Sequence, residues 1–234
     1  MAVGVILSSF ALALGQMGDR RFRKVLLLGI ALALALLVAV YAGFLMLLEW
    51  MTGETTELPL VGEVTWLGDL LSIGSMLFMF VLSAVLMVPV ASAITSMFLD
   101  EVAQAVEERH YPALPPARRT PLGEAVRDTV NFLGILVAAN FVAVLVYVAF
   151  PPSAPVIFYV LNGYLLGMEY FTLAAMRRLG RDEARRLRRQ HLATIWLAGI
   201  LMALPLTLPL FNLVIPILGA ATFTHIYHRL PRGG

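Results

Sequence analysis

The stretch LATIWLAGILMALPLTLPLFNLVIPILGAATFTHIYHR, residues 192–229, decides how this chain is built. Leu192 to Leu204 is an uncharged run of 13 residues; Pro205, Pro209 and Pro216 then break the chain, and a second short arm, Ile217 to Tyr227, returns to His228 and Arg229. At about 1.5 Å per residue such an arm reaches roughly 20 Å, short of a bilayer core about 30 Å thick. Basic residues flank it on both sides, Arg177 to Arg189 before and Arg229 with Arg232 after, which puts both ends in the cytoplasm. The stretch therefore predicts a helical hairpin over 182–228 that enters the membrane partway and turns back. Irregular backbone at its tip, around Leu206 to Ile215, is tolerated at that depth only where protein covers it or it lines a wet cavity.

That the surrounding medium is a bilayer follows from composition. Of 234 residues 60% are hydrophobic and 14% charged, and the mean hydropathy is +0.85, too little polar surface for a water-soluble domain of this size. The absence of cysteine excludes disulfides, thiolate metal sites and thiol catalysis. A net charge of +2 gives no reason to expect a nucleic-acid partner.

The 17 Lys and Arg fall in four blocks: Arg20 to Lys24, Arg109 to Arg127, Arg177 to Arg189, and Arg229 with Arg232. Glu49 to Asp69 carries five acids and no base. The positive-inside rule makes the basic blocks and both termini cytoplasmic and the 49–69 loop external. Upstream of the first hairpin, 129–168 is 40 uncharged residues interrupted by Pro151, Pro152 and Pro155. Its second arm, Val156 to Met168, counts 13 residues before Glu169, so 121–176 reads as another partly inserted hairpin. Val25 to Leu48 and Leu70 to Leu99 are 24 and 30 uncharged residues, long enough to span. The second is expected to kink near Pro89 and to continue as an amphipathic helix to about residue 110. Residues 1–17 place Val3, Ile6, Leu7, Phe10, Leu14 and Met17 on one helical face and read as an interfacial helix. The expected fold is an all-α integral membrane protein with two long transmembrane helices, two re-entrant hairpins and an interfacial N-terminal helix in one membrane domain. A plain six-span bundle is the alternative.

Chemistry concentrates in Gly18-Asp19-Arg20-Arg21-Phe22-Arg23-Lys24, a basic hinge before the first long helix. A helix N-terminus presents unpaired N–H groups and a positive dipole end, and two guanidiniums there can fork onto a tetrahedral anion. The same residues also read as ordinary cytoplasmic anchors. The Arg177–Arg189 block, seven arginines against two acids, offers either anionic-lipid contacts or an anion-collecting vestibule, with Gly180 capping the incoming helix. Glu169, at the hairpin's interface, is either functional or salt-bridged to the hinge or the 177 block. Asn131, Asn140, Asn162 and Asn212 are candidate interhelical hydrogen-bonders. His225 and His228 share a helical face without a third ligand, so no metal site is assigned. No convergent acid, base and metal set is present, nor a nucleotide-binding loop, so neither an enzyme nor a cofactor is expected.

Four stretches together, 96–107 (SMFLDEVAQAVE), 162–171 (NGYLLGMEYF), the arginine block to His191 and 209–216 (PLFNLVIP), resemble the CysZ family of bacterial sulfate permeases, which shares a domain with the etoposide-induced membrane proteins. The resemblance implies sulfate uptake across the bacterial inner membrane for cysteine synthesis by a dimer or larger homo-oligomer. It also implies a sulfate-binding Gly-Leu-Arg-Arg motif, matched here by Gly18, Arg20 and Arg21. The expected site is Gly18, Asp19, Arg20, Arg21 and Phe22, with supporting charge from Arg23, Lys24, Glu169, Arg177 and Arg178. Asp19 stands where the motif is apolar, and Met168 where the family often has arginine. Asp19 would weaken a dianion unless it points away or pairs with Arg23 or Lys24. A non-transporting scaffold that contacts anionic lipids is the alternative function.

Overall fold

A computed structural model describes residues 2–52, 99–117, 122–208 and 214–231, all of whose regular elements are helical. The chain divides into two compact units, Met1–Leu27 with Thr95–Gly234, and Leu28–Ile94. The acidic 49–69 loop, the Pro89 kink and the tip carrying Asn212 lie largely or wholly outside the described residues.

Helix α1, Ala2–Gln16, turns at Met17 and Gly18 into α2, Arg20–Thr52, and α1 meets the first turns of α2 at 82°. The hinge is thus the first turns of α2 itself, five residues earlier than the apolar run. The stripe that α1 buries is Ile6, Ser9, Ala13 and Gln16, at spacings of three and four. Its large apolar residues Val3, Leu7 and Leu14 stay exposed. The predicted apolar face is thus divided: Ile6, Phe10 and Met17 pack on the core, while Val3, Leu7 and Leu14 look outward.

The helix over 99–110, α3, is the axle of the first unit. Leu99, Val102, Ala105 and Val106 enter the core alongside Phe22 and Val25 of α2. Pro112, Pro115 and Pro116 follow it, as expected for a chain leaving the helical state.

Helix α4, Leu122–Ala149, and α5, Ala154–Leu179, are joined by a three-residue 3₁₀ turn, Pro151–Ser153. Pro155 falls in the first turn of α5, where its missing N–H removes no bond. The uncharged arm before Glu169 is only part of this helix: glutamate is a good helix former, and α5 runs on to Leu179, three residues beyond the expected hairpin end at 176. Val130–Ala149 and Pro151–Leu179 are each long and apolar enough to cross a membrane. On α4, Val130, Val137, Phe141, Val144 and Val148 are exposed, a face that lipid accepts and water does not.

Gly180, at φ 83, ends α5 in the left-handed region that only glycine enters without strain, the cap expected from sequence. Helix α6, Arg181–Gln190, tucks Ala184 and Leu187 inward, leaves Arg186 and Arg189 outward, and meets the next segment at 85°. That segment is α7, Leu192–Ala203, continued by a 3₁₀ turn at Leu204–Thr207; the return arm is α8, Ile215–Arg229. At 12 and 15 residues, α7 and α8 are roughly 18 and 22 Å long.

Helix α8 is buried from Ile215 through Tyr227 apart from Pro216, apolar nearly all round as a central helix must be. Phe171, Phe223 and Tyr227 are fully buried around it, each worth about 1.5–3 kcal/mol relative to exposure in water. Helices α5 and α7 meet through glycine: Gly163 and Gly167 of α5 lie against Ile200 and Ile195, and Gly199 of α7 lies against the Gly163 carbonyl. Small residues four apart admit such close backbone approach within membranes.

Candidate functional site

The hinge residues separate once folded. Asp19 is the N-cap of α2: its Oδ1 accepts the Arg21 N–H at 2.9 Å. Its Oδ2 lies 3.4 Å from Gln16 Nε2 and 4.0 Å from Arg109 Nη1. It does not pair with Arg23 or Lys24, the partners anticipated for it. Arg21 Nη1 donates to Glu108 Oε2 of α3 at 2.6 Å, with both side chains about half exposed. Gln104 Nε2 donates to the other Glu108 oxygen at 2.8 Å. These two hydrogen bonds, that from Gln104 first, hold the Glu108 carboxyl below its usual value. The Phe22 side chain is 1% exposed and belongs to the core, so only its backbone can serve an anion. Arg20, Arg23 and Lys24 are exposed and have no ion pair among the described residues; Gly18 is exposed beside them.

Arg177 and Arg178 do not join the hinge pair. They converge on Glu107, the neighbour of Glu108. Arg178 grips it in a fork, Nε to Oε1 at 2.9 Å and Nη2 to Oε2 at 2.6 Å, and Arg177 Nη2 adds a contact at 3.4 Å. His228 Nε2 lies 3.0 Å from Oε1, which requires the Nε2–H tautomer because a carboxylate only accepts. Arg177 Nη1 also reaches Asp100 at 2.8 Å, and Arg178 Nη1 the Pro115 carbonyl. Burial of Glu107 pushes its pKa up. The His228 hydrogen bond, the Arg178 hydrogen bond and the Arg177 and Arg178 charges overcome that and hold it down at about 2. The cluster is a buried latch joining α3, α5 and α8, and it engages Arg177 and Arg178, expected as supporting charge for the anion, away from the hinge arginines.

Glu169 is half-buried on α5 and makes no ion pair or hydrogen bond among the described residues, so the anticipated salt bridge to the 177 block is absent there. Asn140 and Asn162 donate to Leu136 and Phe158 of their own helices, not across helices. The two histidines of α8 also part company: His228 goes to Glu107, while His225 Nδ1 shares a hydrogen bond with Tyr111 Oη at 3.0 Å. His110 stacks edge-on against His225 at 4.8 Å between ring centres. Among the described residues no three potential metal ligands of the His, Cys, Asp or Glu type converge.

His225, in the last turns of α8 and outside both candidate spans, is fully buried. Burial, then the positive charges of His110, Arg229 and His228, push its pKa down to about 3. A depressed histidine contributes stability that is complete above its unfolded value, near 6.5, and lost as pH falls towards 3. The shift of His110 has the same sign. Lowering pH from 7 to 5 is therefore expected to cost about 2 kcal/mol through His225. Thermal unfolding in detergent at the two pH values measures this, and His225→Asn should flatten the dependence; Glu107 adds nothing in that window.

Sequence reading missed Glu107, Glu108, Asp100 and Tyr111. The available signal was Asp100 and Glu107, seven residues and two helical turns apart on one face, beside a helix whose far partners were arginines.

All regular elements among the described residues are helical, and two of these helices are long and apolar enough to cross a membrane, the class of an all-helical membrane protein. The chain belongs to the family described as Sulfate transporter CysZ/Etoposide-induced protein 2.4, which it matches over residues 9–216 of its 234. No curated protein matched the chain.

Proposed function

We propose that the protein is a sulfate-type anion permease of the bacterial inner membrane, carrying sulfate into the cytoplasm for cysteine synthesis and having no enzymatic role. The observation that carries this reading is Arg20, exposed at the positive end of α2 without a counter-ion among the described residues, in a chain of this family. Arg20 and Arg21 bind the oxyanion, assisted by the N–H groups of Gly18, Arg20, Arg21 and Phe22, and Arg23 and Lys24 raise the local potential. Both termini face the cytoplasm. The short arms α7 and α8 form the re-entrant hairpin, and the path is completed in a dimer or larger oligomer. Binding stays weak enough for release, as conduction requires.

Replacing Arg20 and Arg21 together by alanine is expected to abolish sulfate binding and uptake while leaving a folded oligomer. Sulfate flux into reconstituted vesicles, compared with phosphate and chloride, checks this; undiminished flux in the double variant rejects the site.

A second reading, a scaffold that contacts anionic lipid, draws support from α6, whose Arg186 and Arg189 face outward on a helix turned 85° from α7. It requires vesicles impermeable to sulfate and association that rises steeply with anionic lipid.

A further inference from the structure

We propose that Asp19 and Glu108 are the affinity-setting residues of the hinge: each holds a donor that an incoming oxyanion must take over, so the site is loaded by exchange of carboxylates for substrate. The inference rests on the reading of Arg20 and Arg21 as the anion site.

An oxyanion at the start of α2 needs guanidinium N–H groups and backbone N–H groups. Two of these are already engaged. The Arg21 guanidinium donates to Glu108 at 2.6 Å, and the Arg21 N–H donates to Asp19 at 2.9 Å. The Asp19 N–H is spent on the Gln16 carbonyl at 2.9 Å. Glu108 is held in place by Gln104, and Asp19 lies within reach of Gln16 and Arg109, so neither carboxylate is casually placed. An approaching dianion therefore meets Arg21 already engaged through both its guanidinium and its N–H, with two carboxylates beside it, while Arg20, Arg23 and Lys24 carry no ion pair among the described residues.

The exchange is feasible because the displaced contacts are weak. Arg21 and Glu108 are about half exposed, and an ion pair in that setting competes with water and salt. Removing either negative charge while keeping its hydrogen-bonding shape therefore raises affinity. Glu108→Gln retains the partner for Gln104, and Asp19→Asn retains the cap, since asparagine caps as well as aspartate does.

Sulfate binding to the purified full-length protein in neutral detergent is the test. Glu108→Gln and Asp19→Asn are each expected to lower the Kd by roughly 1.5- to 5-fold, the range of an exposed pair, and together by more. Asp19→Ser, another good cap, repeats the Asp19 measurement independently. Unchanged Kd in all three variants, with binding still abolished when Arg20 and Arg21 become alanine, overturns the inference and leaves the anion site standing. Absence of sulfate binding in the parent and in every variant overturns both.

Discussion

Glu107→Ala is expected to destabilise the protein by about 3–5 kcal/mol, enough to remove the folded peak from size-exclusion chromatography at ordinary temperature. The magnitude comes from what the carboxylate leaves behind. Arg177 and Arg178 side chains are 8% and 12% exposed, and with Glu107 gone Arg178 loses both arms of its fork. Arg177 keeps Asp100, a half-exposed partner, so the larger part of the loss falls on Arg178 and on His228. Breaking one member of a buried pair is far more damaging than replacing the whole set by apolar groups. Glu107→Ala combined with Arg178→Met should consequently be more stable than Glu107→Ala alone. If thermal unfolding puts Glu107→Ala within about 1 kcal/mol of the parent, the latch is no more than a surface ion pair.

A methyl group at position 199 is expected to be nearly as harmful. A Cβ on Gly199 would stand 1.9 Å from the Gly163 carbonyl oxygen and 2.9 Å from the Gly167 backbone nitrogen. These are backbone atoms of α5 and cannot swing aside, so Gly199→Ala must push two helices apart along their closest seam, costing about 2–4 kcal/mol. Gly163→Ala and Gly167→Ala meet Ile200 N at 2.7 Å and Ile195 O at 2.6 Å and should be destabilising in the same way. Gly134→Ala on α4 is the matched control. Nothing lies within 4 Å of its added Cβ, so it should gain about 0.5–1 kcal/mol of helix propensity if it changes anything. Parity of Gly199→Ala with that control in a detergent melt would refute the contact.

Much of the architecture was legible because membrane partition imposes long, simple rules. Charge blocks and uncharged runs located the described helices, and the prolines after Leu204 marked the break between α7 and α8. The left-handed end of α5 was written as Gly180. Where the reading erred, local chemistry outweighed hydropathy. Asp19 before an apolar run is also an N-cap signal, and its cap role explains the departure from the family's apolar residue better than a clash with substrate does. The latch was illegible for a different reason. Glu107 and Arg178 are 71 residues apart, and nothing in either neighbourhood says that a cytoplasmic-looking arginine block is pulled inward by one acid on a distant helix. The hinge lay between these cases: its cations were recognisable, but the acids that answer them belong partly to α3.

The carbonyl-to-glycine contact between α5 and α7 also limits how the molecule can move. With no side chain interposed, neither helix can slide or roll past the other without backbone collision, so the two behave as one beam. The chain changes direction between stiff members at either end of α6 instead, at Gly180 and the bend at His191.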